Sequence, residues 1–364
     1  MRIALDGTSL VGSRSGVGAV VDELTKGLAA NDDIDLTVLL ISRRAGADLG
    51  SHLPPGAPLR RLPLPAQAYH WAWRYASRPS VRGYDVVHGP NYVVPPAGGG
   101  AELLTIHDFT AWRFPELVGG ATHSFPRLVD EAIRRGAHIH AVSNTVAEEA
   151  LHYLPIPAER VHTISNGMVP PSSGDASAGL EASGGHPYLL ALGTIEPRKD
   201  HPTLLRAFAE LRARHPDLRL VVAGGDGWGT EAYEKALAES GVANEVIRLG
   251  YVSENTKADL LAGASVFVYP SIYEGFGLPP LEAAASGVPV VATAVGSIPE
   301  VMADGALLVP SGEASALADA IDRVLTDDNE RLRLLAAGAA RVEHYTWPAA
   351  VDALVDLYRR LSSP

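Results

Sequence analysis

Two glutamates, Glu274 and Glu282, stand eight positions apart in the stretch SIYEGFGLPPLE. Two carboxylates can act as an acid and a base, or each can accept hydrogen bonds from the hydroxyls of a polyol. Glu274 is predicted in a loop, where Gly275 and Gly277 leave backbone amides open to a ligand. Glu282 is predicted in the first turn of a helix that begins at the two prolines, where it would also suit the helix dipole. The spacing favours two anchors on one ligand and leaves an acid and base pair as the alternative.

A basic pair follows a predicted strand further upstream. The strand YLLALGT (188–194) leads into IEPRKD, so Arg198 and Lys199 lie where a strand feeds a helix. The planar fork of an arginine and the point charge of a lysine both suit a diphosphate. A solvated basic turn is the alternative, but the position after a strand favours a phosphate site.

A glycine-rich stretch near the N-terminus offers a second place for an anion. After the strand RIALD, Gly12, Gly16 and Gly18 accompany a helix predicted from Val17, where backbone amides and the helix dipole could meet a phosphate. A plain surface loop would explain the same glycines. The pattern is neither the Walker motif nor the dinucleotide fingerprint, and the next strand ends without a ribose-binding acid. We therefore predict no nicotinamide cofactor.

Histidines appear at strand ends in the first half of the chain. His107 follows the strand ELLTI and could donate to a hydroxyl or transfer a proton, although a lone histidine is more often structural. His138 and His140 share one face of a strand, but no third ligand is in view. We therefore keep His107 as a candidate and predict no metal site.

Both halves of the chain alternate short apolar runs with amphipathic helical patterns, which predicts parallel sheets covered on both faces. Strands are predicted at 2–6, 35–41, 84–89, 102–108, 138–143, 161–165, 188–194, 218–225, 246–250, 265–271, 288–293 and 306–310. The stretch SSGDASAGLEASGG is typical of a flexible linker. We predict Rossmann-like domains at 1–171 and 187–346, a linker at 172–186, and a final helix at 347–364 whose return to the first domain the sequence leaves open.

The composition limits the function classes. Of 364 residues, 46% are hydrophobic and 20% are charged, which is enough apolar surface for two cores. The net charge of -12 argues against nucleic acid as a partner, and the absence of cysteine excludes disulfides and thiolate sites. No apolar run approaches the roughly 18 residues of a membrane span. No signal peptide precedes Asp6 either, so we expect a cytoplasmic protein.

Peripheral contact with the inner face of a membrane stays an alternative because of one basic and aromatic region. Its residues are Arg60, Arg61, Trp71, Trp73, Arg74, Arg78 and Arg82. A solvated helix would explain the same residues.

Taken together, the motifs are specific enough to resemble those of one enzyme family. The stretch EGFGLPPLEAAASGVPVVAT, which holds Glu274 and Glu282, resembles glycosyltransferase family 4, as does GTIEPRKD upstream. In the first half the likeness rests on the glycine stretch, TIHD and AVSNTVAEE. The resemblance implies a GT-B fold, in which two Rossmann-like domains face each other across a cleft. It also implies a retaining transferase that uses a nucleotide-sugar and needs no metal or other cofactor.

The resemblance implies roles for individual residues. Glu274 would contact hydroxyls of the donor sugar and Glu282 those of the ribose. Arg198 and Lys199 would hold the diphosphate, and His107 would approach the transferring sugar. The other donor-binding positions would be Gly16, Gly18, Thr194, Val252, Gly275, Phe276, Gly277 and Leu278. Many family members carry an arginine at the position of Thr194, so phosphate binding here would depend more on the basic pair.

The donor and acceptor are expected from the branch of the family that the chain resembles. The N-terminal stretch, TIHDFTAWRFPE and GTIEPRKD are similar to mannosyltransferase-like members, which favours GDP-mannose over UDP-sugars. The acceptor would be a saccharide, a lipid-linked sugar or a small molecule. Two other functions stay open: a glycoside hydrolase or phosphorylase that uses the two glutamates as acid and base, and a catalytically silent binder of sugar nucleotides.

Overall fold

The computed structural model describes residues 1–11, 16–41, 58–62, 68–69, 72–73 and 79–363. The chain divides into two compact units. The first comprises Met1–Gly167 together with Tyr345–Pro364, and the second comprises Met168–His344. Each unit contains one parallel sheet with helices, which confirms the predicted fold class of two Rossmann-like α/β domains.

The first unit is built on a seven-stranded parallel sheet with the order β3-β2-β1-β4-β5-β6-β7. Its strands are β1 (Arg2–Asp6), β2 (Asp35–Ile41), β3 (Leu59–Leu62), β4 (Val86–Gly89), β5 (Ala101–Ile106), β6 (His138–Ala141) and β7 (Val161–Thr163). The helices before the second unit that the structure describes from end to end are α1 (Gly16–Ala29), α2 (Thr110–Arg113), α3 (Phe125–Arg135) and α4 (Asn144–Tyr153). The edge strand β3 was not predicted, because its sequence LRRL carries no apolar run and, among the described residues, its strand partner is β2 alone.

The second unit is built on a six-stranded parallel sheet with the order β10-β9-β8-β11-β12-β13. Its strands are β8 (Tyr188–Leu192), β9 (Arg219–Ala223), β10 (Val246–Gly250), β11 (Val266–Tyr269), β12 (Val290–Thr293) and β13 (Ala306–Val309). Its helices are α5 (Ala176–Ala182), α6 (His201–Arg212), α7 (Thr230–Glu239), α8 (Glu254–Gly263), α9 (Leu278–Ala285), α10 (Ile298–Met302), α11 (Ala314–Thr326) and α12 (Asp328–Val342). The strand order reverses between β8 and β11, which is where ligands bind in such sheets.

The prediction of a flexible linker at 172–186 is wrong, because this segment holds a packed helix. The Asp175 side chain caps α5 by accepting a hydrogen bond from the Ser177 amide at 2.8 Å. Helix α5 packs so closely on α8 that a Cβ at Gly179 would lie 2.1 Å from the Asp259 carbonyl oxygen. The Ser, Gly and Ala composition therefore serves close helix packing here and not chain flexibility.

The last helix, α13 (Trp347–Ser362), belongs to the first unit. Leu354, Leu357 and Tyr358 are buried in the core that β1 and α1 also line. Helix α13 packs tightly on α1, since a Cβ at Gly27 would lie 2.4 Å from a Val351 methyl carbon. The chain thus returns to its first unit after completing the second.

A buried chain of hydrogen bonds ties α13 to the sheet of the first unit. The His140 Nε2–H donates to the Ile164 carbonyl at 2.8 Å, so Nδ1 of the neutral ring accepts from the Thr105 hydroxyl at 3.0 Å. Thr105 in turn accepts from His88 Nε2–H at 2.7 Å, and His88 Nδ1 accepts from the Tyr358 hydroxyl at 2.6 Å. This direction requires both imidazoles to be neutral, because a protonated ring has no acceptor nitrogen.

We expect this chain to make the fold sensitive to acid. Burial lowers the pKa of His140 to about 4. The bond to the Ile164 carbonyl opposes this effect, whereas the nearby His107 and His162 add to it. Between that value and the ordinary pKa near 6.5, the unfolded chain binds the extra proton. Stability is therefore lost as the pH falls below 6.5, by up to about 1.4 kcal/mol per pH unit for each such proton.

The variant His140→Gln isolates this effect, because an amide can still donate to Ile164 and accept from Thr105 without titrating. Urea unfolding at pH 7.5 and pH 5 should show a smaller loss of stability in the variant than in the wild type. Equal losses in the two proteins would show that His140 does not titrate on unfolding.

Within the described ranges, no helix is long and apolar enough to cross a bilayer. Of the region predicted for peripheral membrane contact, Trp71, Arg74 and Arg78 lie outside those ranges. Trp73 is only 4% exposed, and its indole N–H donates to the Pro79 carbonyl at 3.0 Å. The prediction that Trp73 offers an aromatic surface to a membrane is therefore wrong.

Candidate active site

The candidate site of the second unit lies at the carboxyl ends of β8 and β11, where the strand order reverses. The loop after β8 ends in a short 3₁₀ turn at Pro197–Lys199, and the loop after β11 runs to Gly277 before α9. The Ile272 amide donates to the Arg198 carbonyl at 2.8 Å. The two loops therefore meet, although more than 70 positions separate them in the sequence.

The structure brings Arg198, Lys199 and Glu274 into direct contact. The Lys199 ammonium lies 2.6 Å from Glu274 Oε1, and Arg198 Nη1 lies 2.7 Å from Oε2. The Ser271 hydroxyl donates to the same Oε1 at 2.7 Å. Glu274 is 7% exposed, so this carboxylate is held by two cations away from bulk water. Three of the four predicted catalytic residues form one cluster.

The cations are held in place by further partners. Lys199 also donates to the Tyr269 hydroxyl at 2.7 Å, which occupies a second of its three ammonium protons. Arg198 pairs with Glu196 at 2.6 Å and donates to the Tyr273 carbonyl at 2.9 Å. Within the described residues, the third ammonium proton of Lys199 has no protein acceptor. A ligand oxygen could therefore bind there without displacing a protein partner.

The electrostatics of the cluster fix the charge of Glu274. Burial alone would raise the pKa of Glu274, but Arg198 and Lys199, with a bond from Ser271, lower it to about 2. Burial lowers the pKa of Lys199, Arg198 lowers it further, and Glu274 opposes both effects. Glu274 is thus an anion at neutral pH and has no proton to give.

The local environment of Glu274 differs from the one the sequence suggests. Its position in a glycine-containing loop predicts an accessible side chain whose loss would spare the fold. The side chain is instead buried between two cations, and removing it would leave both charges without a counterion. We therefore expect the loss of Glu274 to destabilise the fold, contrary to the expectation from the loop sequence.

Two glycines shape the backbone that carries Glu274. Gly277 has φ 98° at the start of α9, and a Cβ there would lie 2.5 Å from Ile298 Cδ1. Gly296 has φ 50°, and a Cβ there would lie 2.1 Å from the Glu274 carbonyl oxygen. The Ser297 amide donates to that same carbonyl at 2.9 Å. The loop after β12 therefore packs directly on the backbone of Glu274 and leaves no room for a side chain at position 296.

We expect Gly296→Ala to displace Glu274 and to lower both activity and stability. The matched control is Gly287→Ala, because Gly287 has a similar φ of 72° but open space where a Cβ would lie. Both variants incur the cost of a left-handed alanine, roughly 1–2 kcal/mol, and only Gly296→Ala also clashes with backbone. Thermal unfolding and turnover of the two variants should separate the cost of a left-handed alanine, which both share, from the cost of the clash. Equal melting temperatures and equal turnover would contradict a supporting role for Gly296.

Glu282 lies in a different electrostatic setting. Its carboxylate Oε1 accepts from the Lys257 ammonium of α8 at 3.1 Å, and Lys257 also contacts Glu254 at 2.8 Å. Among the described residues, the second oxygen of Glu282 has no partner. Helix α9 begins at Leu278, one residue before the prolines, which puts Glu282 in its second turn. The prediction that Glu282 lies in the first turn is wrong by this shift.

The remaining predicted donor-binding residues of the second unit follow the strands β8, β10 and β11. Thr194 is exposed directly after β8, and Val252 is half-buried after β10. Phe276 is 6% exposed, so its ring packs inside the unit. Gly275 and Leu278 flank Phe276 and Gly277 in the loop that leads into α9.

Sequence reasoning missed three residues of the site. Tyr269 and Ser271 contact Lys199 and Glu274, and Lys257 contacts Glu282. Tyr269 and Ser271 lie at the end of an apolar run, so their place at a strand end was the available signal. No local signal pointed to Lys257, because its partner is 25 positions away on another helix.

The first unit holds the other predicted residues. Helix α1 begins at Gly16, which is exposed with open space around it, whereas Gly18 is buried within the helix; Gly12 lies outside the described residues. His107 follows β5 and is half-buried, with Nε2 2.7 Å from the Pro90 carbonyl. Burial lowers the pKa of His107, although the Pro90 carbonyl and Asp108 oppose this.

Within the part of the chain that the structure describes, no three histidine, aspartate or glutamate side chains are grouped to hold a metal ion. His138 donates to or accepts from His162 at 3.0 Å, and the two rings are stacked. His138 therefore faces a second histidine on the neighbouring strand, while His140 belongs to the buried hydrogen-bond chain described above.

Comparisons with known proteins bear on the two units separately and on the whole chain. Residues 175–341 match the family model described as glycosyl transferases group 1, and residues 14–170 match the model for glycosyltransferase family 4. O-antigen chain mannosyltransferase B of Escherichia coli is 31% identical over 95% of this chain and 96% of its own length. The chain belongs to glycosyltransferase family 4.

A second relative agrees with this family, and solved structures share the fold. A D-inositol 3-phosphate glycosyltransferase of Nocardioides is 30% identical over 96% of this chain and 86% of its own length. Sucrose-phosphate synthase from Thermosynechococcus elongatus has a TM-score of 0.77 at 23% identity, covering 99% of this chain and 98% of its own. The Anabaena protein HepE, in complex with UDP-glucose, has a TM-score of 0.75 at 19% identity, covering 99% and 100%. The transferase thus has the GT-B type of architecture, with two Rossmann-like domains.

Proposed function

We propose that the protein is a retaining hexosyltransferase that moves a sugar, with mannose favoured, from a nucleotide-sugar donor to a hydroxyl of an acceptor. The observation that carries the proposal is the buried contact of Arg198 and Lys199 with Glu274 at the carboxyl ends of β8 and β11. It places two cations and one ionised carboxylate at the position where sheets of this kind bind ligands. Cations suit the diphosphate, and the carboxylate suits the sugar hydroxyls.

The diphosphate role belongs to the basic pair. Lys199 keeps one ammonium proton without a protein acceptor among the described residues, and Arg198 presents a guanidinium beside it. In the transition state the phosphate oxygen that leaves the sugar gains negative charge, which fixed cations in a buried site stabilise more strongly than water does. The amides near Gly16, at the N-terminus of α1, are proposed to add donors to the phosphates.

The sugar and ribose roles belong to the two glutamates. Glu274, ionised and fixed, accepts from hydroxyls of the sugar, and Glu282 accepts from the ribose through the oxygen that has no described protein partner. The backbone from Gly275 to Leu278, with Thr194, lines the sugar and phosphate, and the loop at Val252 takes the base. We propose that His107 contacts the transferring sugar, as the resemblance to the family implies.

The proposed step is a front-face substitution. The bond between the anomeric carbon and the phosphate oxygen breaks, and a bond from the same carbon to the acceptor oxygen forms on the same face. The acceptor hydroxyl gives its proton to the departing phosphate oxygen, so a nucleoside diphosphate and a glycoside of unchanged anomeric configuration result. No cofactor and no metal take part in this scheme.

The charge of Glu274 argues against a glycoside hydrolase. Such an enzyme needs one carboxylic acid that stays protonated to assist the leaving group. Arg198 and Lys199 lower the pKa of Glu274 to about 2, against the effect of burial, so it cannot serve as that acid. Glu282 pairs with Lys257, whereas Glu274 pairs with Arg198 and Lys199, so the two glutamates have different cationic partners.

The identity of the donor and acceptor rests on relatives. The 31% identical Escherichia coli relative is named a mannosyltransferase of the O-antigen chain, which supports mannose, and GDP-mannose, as the donor. A structural neighbour in complex with UDP-glucose keeps UDP-sugars in the test set. We propose a saccharide or lipid-linked acceptor, with a small-molecule acceptor as the alternative.

A panel of sugar nucleotides tests the proposal. The protein is incubated with GDP-mannose, UDP-glucose and UDP-N-acetylglucosamine, and thermal unfolding and mass spectrometry report binding and donor consumption. We expect one donor to raise the melting temperature and, with a saccharide acceptor, to yield a glycoside. NMR assigns the anomeric configuration of that product. No shift with any of these donors would reject the proposed hexosyl transfer from them, a shift without product would favour a silent binder, and a product of inverted anomeric configuration would reject retention.

A further inference from the structure

The loop after β4 folds back onto His107. The chain turns so tightly there that a Cβ at Gly89 would lie 1.8 Å from the Val93 carbonyl oxygen. The turn aims the Pro90 carbonyl at the His107 ring, and Nε2 lies 2.7 Å from it. Because a carbonyl oxygen can only accept, Nε2 carries the proton and Nδ1 carries the lone pair of the neutral ring. The loop thus fixes the tautomer of His107.

Tyr92 of the same loop holds the backbone on both sides of His107. The Tyr92 amide donates to the Thr105 carbonyl at 3.0 Å. The Tyr92 hydroxyl donates to the Asp108 carbonyl at 3.0 Å and accepts from the Asp108 amide at 2.8 Å. Asp108 and Thr105 flank the histidine along the chain. A single tyrosine therefore ties down the backbone before and after His107.

The conformation of Tyr92 shows that its position is tightly specified. Its φ is 56°, in the left-handed region that residues with a Cβ rarely adopt. The ring is 5% exposed and stacks on Phe125 with centroids 4.4 Å apart and planes 9° apart. The Tyr92 and His107 rings also meet in an edge arrangement, with centroids 6.0 Å apart and planes 62° apart. Such a strained residue persists only where its surroundings hold it, and strain of this kind concentrates at functional sites.

We propose that Tyr92 is a positioning residue for His107. Its hydroxyl anchors Asp108, its ring supports the imidazole, and the Pro90 carbonyl beside it sets the tautomer, so that Nδ1 is presented as an acceptor in one orientation. The inference rests on the proposed function in that His107 approaches the transferring sugar. Tyr92 itself contacts no reacting atom in this scheme, and it acts on the reaction only through His107.

The variant Tyr92→Phe tests the proposal, because it keeps the stacked ring and removes only the hydroxyl. We expect kcat to fall about 10- to 100-fold, the scale of a misplaced catalytic group, with the donor KM nearly unchanged. The matched control is Tyr153→Phe, since the Tyr153 ring also stacks on a phenylalanine while its hydroxyl has no described partner. The control should keep wild-type kcat.

A measurement without turnover separates this inference from the proposed function. Nitrogen-15 NMR of the histidine rings should report the Nε2–H tautomer of His107 in the wild type and in Tyr153→Phe. We expect a mixture of tautomers or exchange broadening in Tyr92→Phe. If that variant does not fold, Phe125→Leu loosens the same ring and should shift the His107 signal in the same direction.

The outcomes are distinguishable. An unperturbed His107 signal in Tyr92→Phe, or in Phe125→Leu where only that variant folds, overturns the positioning role whatever the activity. A wild-type protein that consumes no sugar nucleotide rejects the proposed function, while the His107 signal still decides whether Tyr92 holds the ring. A perturbed signal together with wild-type kcat would show that His107 needs no fixed tautomer for the reaction, which also overturns the proposal.

Discussion

Glu274→Ala is expected to abolish glycosyl transfer and to destabilise the second unit. The variant removes the acceptor proposed for the sugar hydroxyls and leaves Arg198 and Lys199 as buried cations without their shared counterion. Breaking a buried ion pair in this way costs about 3–5 kcal/mol. Loss of a fixed transition-state contact should lower kcat by about 10²–10³-fold or more. Turnover at 20 °C and urea unfolding measure the two effects.

Two control variants make this prediction specific. Glu254→Ala removes an exposed carboxylate from the same unit, 71% accessible in its side chain, and should change stability by less than about 0.5 kcal/mol. Glu282→Ala removes the proposed ribose anchor and should raise the donor KM more than it lowers kcat. Wild-type turnover in Glu274→Ala would refute its place in the site. Unchanged unfolding would refute the buried ion cluster.

The second large effect is expected for Lys199→Ala. The ammonium is proposed to bind the diphosphate of the donor and to stabilise the departing phosphate oxygen. A charge-assisted contact of this kind contributes roughly 1.5–3 kcal/mol, so affinity for a nucleoside diphosphate should fall about 10- to 100-fold. Affinity for the bare nucleoside should change little, because it lacks the phosphates that Lys199 would meet. Isothermal titration with the two ligands measures the difference.

The matched control for Lys199→Ala is Lys235→Ala. Lys235 lies exposed on α7, so its loss changes the net charge of the unit by the same amount without touching the candidate site. The control should bind both ligands as the wild type does. Equal weakening of diphosphate and nucleoside by Lys199→Ala would contradict a phosphate role and would indicate a general disturbance of the loop after β8.

The sequence predicted much of the fold because its strand signals are local. Twelve predicted strands recur in the structure, since each is a short apolar run that a buried parallel strand requires. The strand missed, β3, is a polar edge strand defined by its pairing to β2. Helix α5 was not predicted because its composition is typical of linkers, whereas in the structure it packs on α8.

For the candidate site too, the sequence predicted the local features and the tertiary structure decided the rest. By itself, the sequence determined the residue types, their spacing and their positions at strand ends, because these depend on neighbours within one segment. It also carried the family resemblance, which the comparisons confirm. Only the tertiary structure decided that Glu274 is buried between Arg198 and Lys199, that Tyr269 holds the lysine, and that Glu282 faces a separate cation. Burial and ion pairing depend on which distant segments pack together, and no local sequence pattern encodes those contacts.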